Sequence, residues 1–174
     1  MKARELPAFF DELAQWAAAH PRPVETVAYG EHADQVIDLR RPSATPASGL
    51  ALVLHGGFWR APYTRRNTAA LSVALAEAGW ASANVEYRRL GPGRWRPMLD
   101  DVLAARRSLD AFDHVVAIGH SAGGHLALWL AAQGAVDAAV GLGAVCDLAA
   151  AAAAGLGDGA AQELLGGEPD DVPD

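Results

Sequence analysis

Two short stretches carry residue types that could do chemistry. Gly119-His120-Ser121-Ala122-Gly123 is a G-x-S-x-G sequence, and His55-Gly56-Gly57-Phe58-Trp59 lies upstream of it. A serine hydroxyl is a weak nucleophile until the chain presents it sharply and a base takes its proton. Small residues two before and two after the serine, Gly119 and Gly123, let the backbone pass close by at such a turn. A helix starting there aims its unpaired N–H groups and positive dipole end at the same point. Consecutive glycines at 56 and 57 leave backbone N–H groups to face a developing negative charge. The N–H groups of Gly57, Phe58 and Ala122 would together form an oxyanion hole, where one donor is worth roughly 3–4 kcal/mol of transition-state stabilisation. A nucleotide-binding reading fails on spacing, because GHSAGG at 119–124 is not G-x-G-x-x-G and no G-x-x-x-x-G-K occurs.

The elements that must position these residues follow from periodicity. Apolar residues Phe9, Phe10, Leu13, Trp16 and Ala17 recur at helical spacing, which predicts a helix over 8–20 closed by Pro21 and Pro23. Residues 24–29 and 35–40 alternate as short strands, and 41–49 is a turn-rich loop. The continuous apolar run 50–54 predicts a strand buried on both faces. Then follow a helix at 68–78 closed by Gly79, a strand at 80–87, a loop at 90–97 and a helical face from Leu99 to Phe112. A strand at 115–118, a helix at 122–133, a strand within 136–146 and an alanine-rich helix at 149–154 complete the pattern. Alternating strands and helices predict one α/β domain over residues 1–174, a parallel sheet with helices on both faces. Both motifs fall where a strand ends.

Composition narrows the function classes. The 174 residues are 51% hydrophobic and 20% charged, which is a globular composition. A formal charge of -7 without a basic run argues against a nucleic-acid partner. The single cysteine, Cys146, excludes a disulfide framework and a cysteine-rich zinc site, and is expected to be a small buried hydrophobe. That usage suits a reducing cytoplasm. Glu5, Asp11 and Glu12 stand where a signal peptide needs an apolar core. Residues 115–136 lack Asp, Glu, Lys and Arg, but their first half holds glycines, histidines and a serine. The stretch therefore reads as strand, turn and buried helix, not as a membrane span. No metal and no organic cofactor are expected, since the histidines and carboxylates lack ligand spacing. Seven arginines (60, 65, 66, 88, 89, 94 and 96) gather in the loops after the third and fourth strands. They would either make a positive mouth for an anionic substrate or be scattered surface charges. Trp16, Trp80, Trp95 and Trp129 are expected to pack in the core or at its rim.

HGGFW at 55–59 and GHSAGG at 119–124 resemble the α/β-hydrolase superfamily, and most of all its esterase/arylformamidase-like branch. Asn84 to Arg88 (NVEYR), Asp100-Asp101-Val102 and Cys146-Asp147-Leu148 are similar to the same branch. The resemblance implies an α/β-hydrolase fold with a mostly parallel sheet. It implies Ser121 as nucleophile and Gly57, Phe58 and Ala122 as oxyanion-hole donors. Gly56, Gly119, His120 and Gly123 support the motifs. His55 would order its loop, and Trp59 would either brace a substrate pocket or pack in the core. The implied activity is hydrolysis of a small-molecule carboxylic ester or small amide through an acyl-enzyme.

In that fold the triad runs serine, acid, histidine along the chain. The histidines here are at 20, 32, 55, 114, 120 and 125, so none follows Ser121 by more than four residues. His125 is expected to point along its helix away from the serine, and His120 to be turned elsewhere by the elbow. Asp147 is the one acid candidate; Asp158, Glu163 and Glu168 read as solvated charges. The expectation is a C-terminally incomplete hydrolase whose last strands carry the acid and histidine, with residues 163–174 resembling the start of a cap or connecting segment. The alternative is a catalytically inactive binding or interaction module that keeps the fold without the triad.

Overall fold

The computed structural model describes residues 6–20, 23–43, 47–91 and 95–169. Six strands form one sheet in the order β1-β2-β4-β3-β5-β6. They are β1 (Glu25–Ala28), β2 (Val36–Arg40), β3 (Leu50–Leu54), β4 (Ala81–Val85), β5 (Val115–His120) and β6 (Ala138–Leu142). The helices are α1 (Leu6–Ala19), α2 (Ala69–Glu77), α3 (Arg96–Arg107), α4 (Ala122–Ala132), α5 (Leu148–Ala153) and α6 (Ala160–Leu165). A 3₁₀ turn at Arg65–Thr68 leads into α2, held by a capping box between Thr64 and Asn67.

From β4 to β6 the strands run parallel, while β1 pairs antiparallel with β2 and β2 antiparallel with β4. The sheet is thus mostly parallel, and the two N-terminal strands depart from the simple alternation. All five residues of β3 are fully buried, as expected for the sheet's centre. In β4 the polar side chains inside are satisfied: Ser82 meets the Ser72 hydroxyl at 2.7 Å, and Asn84 accepts from Thr68 at 2.8 Å. β6 is an edge strand, with Val140 and Leu142 more than 40% exposed.

Register sets the site. Leu54 pairs with Val85 on one side and Gly119 on the other, and His120 pairs with Leu142. The next residues along β4 and β3, and the last of β5 and β6, therefore line up across the sheet's carboxyl edge as Glu86, His55, His120 and Leu142. That edge is where open α/β sheets bind ligands.

The charge-free stretch 115–136 resolves into β5, a turn and α4. Among the described residues no helix is long and apolar enough to cross a membrane. Helix α6 was not expected from the sequence. It sits between Gly159 and Gly166, both left-handed, and buries Ala160, Ala161 and Leu164. Cys146 is exposed, not buried. Residues 170–174 of the acidic tail lie outside the described residues.

Candidate active site

At the end of β5 the chain reverses into α4 through Ser121, whose φ of 52° and ψ of −116° place it in the left-handed half of conformational space. A non-glycine residue there carries on the order of 1–3 kcal/mol of strain, so its surroundings must hold it. The Ser121 N–H donates to the Leu142 carbonyl at 3.0 Å. The Ser121 carbonyl accepts from His125 N–H at 3.1 Å and Val145 N–H at 3.3 Å. The small residues around the serine are sterically required. A Cβ on Gly119 would overlap the Gly123 carbonyl, and one on Gly123 would overlap the carbonyls of Leu54 and His55. Helix α4 thus rests directly on the end of β3.

The two motifs meet at Gly56. A Cβ there would stand 2.6 Å from the His120 carbonyl oxygen and 3.2 Å from the Ser121 Cβ. Beyond Gly56 the loop turns tightly, with positive φ at Gly57 (116°), Phe58 (56°) and Trp59 (60°), closed by Arg60 N–H donating to the Gly57 carbonyl at 2.9 Å. The first N–H groups of α4, beginning with Ala122, have no acceptor within the helix. The loop carrying Gly57 and Phe58 and the start of α4 therefore flank the serine from two sides.

A buried polar network fixes the loop from behind. His55 is fully buried, stacked on Tyr87 at 4.3 Å between ring centroids. Its Nδ1 faces the Gly56 carbonyl at 2.9 Å and its Nε2 faces Glu86 Oε1 at 3.0 Å. Tyr87 donates to the His55 carbonyl at 2.6 Å. Both imidazole nitrogens face oxygen acceptors in this buried network, so His55 orders the loop. Glu86 Oε2 accepts from Arg65 N–H at 3.1 Å, and Oε1 also accepts from Arg89. Burial by itself would raise the Glu86 carboxyl, but its His55 hydrogen bond, the His55 charge, the Arg65 N–H and Arg89 hold it below the usual range. Within NVEYR the sequence does not single out Glu86 for a role. Its signal was an acid one residue past a buried strand.

Four of the seven arginines are paired with carboxylates. Arg60 pairs with Glu163 at 2.7 Å, Arg65 with Asp38 at 2.8 Å and Arg88 with Asp101 at 2.6 Å. Arg89 bridges Asp34 and Glu86. Arg96 lies over the Trp95 ring, Arg66 is exposed, and Arg94 lies outside the described residues.

The structure describes all six histidines, and none hydrogen-bonds the Ser121 hydroxyl. His20 and Trp16 stack at 4.2 Å, while His32 and His114 lie near Asp34 and Asp137. His120 meets the Phe10 ring edge-on at 6.1 Å, and its Nδ1 would stand 2.9 Å from a Cβ on Gly56. His125 points up α4 against Trp59, edge-on at 5.7 Å. Burial lowers the pKa of both His120 and His125, keeping them neutral. Trp59 is 2% exposed and belongs to the core, where it lines a cavity of about 120 Å³ with Trp95, Trp129 and His125. Asp147 is exposed and caps α5, its Oδ1 accepting from Ala150 N–H at 2.8 Å. Among the described residues no group of three or more His, Cys, Asp or Glu could hold a metal ion.

The mostly parallel sheet and the serine elbow between β5 and α4 define an α/β-hydrolase fold. The chain belongs to the BD-FAE family, whose model matches residues 37–144. It is 34% identical over 136 residues to the non-reducing polyketide synthase ausA of Aspergillus calidoustus, which covers 63% of this chain and 5% of that protein. Among solved structures it is similar to a bacterial heroin esterase (27% identity, TM-score 0.58), with 76% of this chain and 49% of that one covered. It is also similar to esterase B from Lactobacillus rhamnosis bound to a tributyrin phosphonate (25% identity, TM-score 0.62), with 98% of this chain and 68% of that one covered. The chain spans one twentieth of the polyketide synthase and about half of the heroin esterase.

Proposed function

We propose that this chain carries the nucleophile and oxyanion hole of a serine hydrolase acting on carboxylic esters or small amides. The observation that carries this reading is the strained Ser121 held against Gly56, which gives the serine no packing advantage and a clear chemical one. Ser121 Oγ attacks the substrate carbonyl carbon as its proton passes to a base. The carbonyl oxygen becomes an oxyanion that the N–H groups of Gly57, Phe58 and Ala122 stabilise. The alcohol or amine leaves with a proton, and water then releases the acyl group from Ser121. His55, His120 and His125 each make contacts elsewhere, and none hydrogen-bonds the Ser121 hydroxyl. A reducing, cytoplasmic setting fits the exposed thiol of Cys146.

That no described residue hydrogen-bonds the Ser121 hydroxyl supports a second reading, an inactive module that binds without hydrolysing. A fluorophosphonate probe separates the two, because it modifies only an activated serine. Labelling that disappears in Ser121→Ala supports the hydrolase. No labelling of the native protein, or labelling that survives Ser121→Ala, would refute it.

A further inference from the structure

A cavity of about 510 Å³ opens at the carboxyl edge of the sheet between α1 and α2. That size lies within the usual range for small-molecule sites, roughly 300–1,000 Å³. Its floor is Gly56, His120 and Leu142. Each of these touches the elbow: Gly56 lies against Ser121, His120 precedes it, and the Leu142 carbonyl accepts the Ser121 N–H. Its outer wall is the apolar face of α1, including Phe10, Leu13 and Trp16, and α2 closes the other side with Leu71 and Ala74.

The lining is uncharged. Thr68, at the cavity's edge, donates its hydroxyl inward to Asn84 at 2.8 Å. His120 presents a neutral ring, with Phe10 packed against its edge. The apolar stripe of α1 therefore does not complete the core. Trp16 remains 37% exposed, and the stripe faces open space beside the nucleophile.

Resting on the hydrolase reading, we propose that this cavity receives an uncharged apolar group of the substrate, and that Phe10, Leu13 and Trp16 of α1 set its selectivity. An ester whose carbonyl lies at Ser121 can extend such a group under α1 without leaving a charge unpaired. Arg60, Arg65, Arg88 and Arg89 are paired with carboxylates, and no charged side chain lines the cavity among the described residues.

The test separates binding from chemistry. Calorimetric titration of the Ser121→Ala chain with 2-octanone and with 2-butanone compares uncharged ketones that differ only in chain length. Full burial gives roughly a fourfold gain per methylene, so 2-octanone is expected to bind at least tenfold tighter. Leu13→Trp, which fills the cavity from α1, is expected to weaken 2-octanone at least tenfold. Should that variant melt below its parent, Ala74→Leu narrows the opposite wall and is expected to act in the same direction. Equal affinity for the two ketones, or 2-octanone affinity indifferent to both substitutions, would overturn the proposal. A chain that favours 2-octanone while native Ser121 refuses the fluorophosphonate keeps the cavity and overturns the hydrolase reading. A chain that takes the probe but does not distinguish the ketones does the reverse.

Discussion

Glu86 and His55 face one another across the carboxyl ends of β4 and β3, with Nε2 and Oε1 3.0 Å apart and both side chains at most 4% exposed. The pair holds the glycine loop from behind, since the opposite ring nitrogen of His55 meets the Gly56 carbonyl. Breaking one partner of a buried, charged contact costs far more than a surface pair does. Glu86→Gln is expected to destabilise the chain by roughly 3 kcal/mol in urea unfolding. It should also slow fluorophosphonate labelling of Ser121 without contacting the probe. Unchanged stability would show that the network contributes nothing to the fold.

Ser121→Gly removes both the hydroxyl and the steric penalty of φ 52°. The variant should lose labelling and gain about 1 kcal/mol of stability. Ser121→Ala loses labelling as well but keeps the penalty. A Gly variant less stable than the Ala variant would mean that the elbow is not strained.

Asp147 caps α5 through Ala150 N–H. Asp147→Ala should cost about 1 kcal/mol, while Asp147→Asn retains an acceptor and most of the stability. Both variants should label at the parent rate. Labelling lost in Asp147→Asn would instead make Asp147 the acid of the triad.

Acid should destabilise the chain in two windows. His120 and His125 have pKa values lowered by burial from the ordinary 6.5, so the unfolded chain takes up protons that the folded chain does not. Their contribution is full above pH 6.5 and is lost as pH falls below it. Glu86, held below its ordinary 4.5, contributes above that value and loses its share as pH falls through its lower folded value. Melting temperatures should therefore fall as pH drops below 6.5, and again as it drops below 4.5. His120→Gln should flatten the first step. A flat profile between pH 6.5 and 4.5 would contradict the burial of both rings.

Much of this site was legible because its constraints are local. Leu50 to Leu54 reads as a central strand because an unbroken apolar run fits only a sheet covered on both faces. Gly119, Gly123 and Gly56 are readable because backbone runs against backbone at each of them. The directions of β1 and β2 were not, since four or five alternating residues look the same in either orientation. Neither was the pairing of Arg60 with Glu163, 103 residues away in sequence, or of Arg65 with Asp38. Charge clustering along a chain does not reveal distant partners. Helix α6 escaped because its ends are marked by left-handed glycines and its helicity depends on burying Leu164. The cavity beneath α1 escaped because helical periodicity shows an apolar face without showing what it faces.

The exposed thiol of Cys146 follows Val145, whose N–H is bonded to the Ser121 carbonyl. It is the sequence's one cysteine. A single fluorophore attached there sits one residue from a hydrogen bond to the nucleophile's own backbone. The molecule thus carries a natural reporter position, where occupancy of the serine could be followed optically in real time without an engineered label.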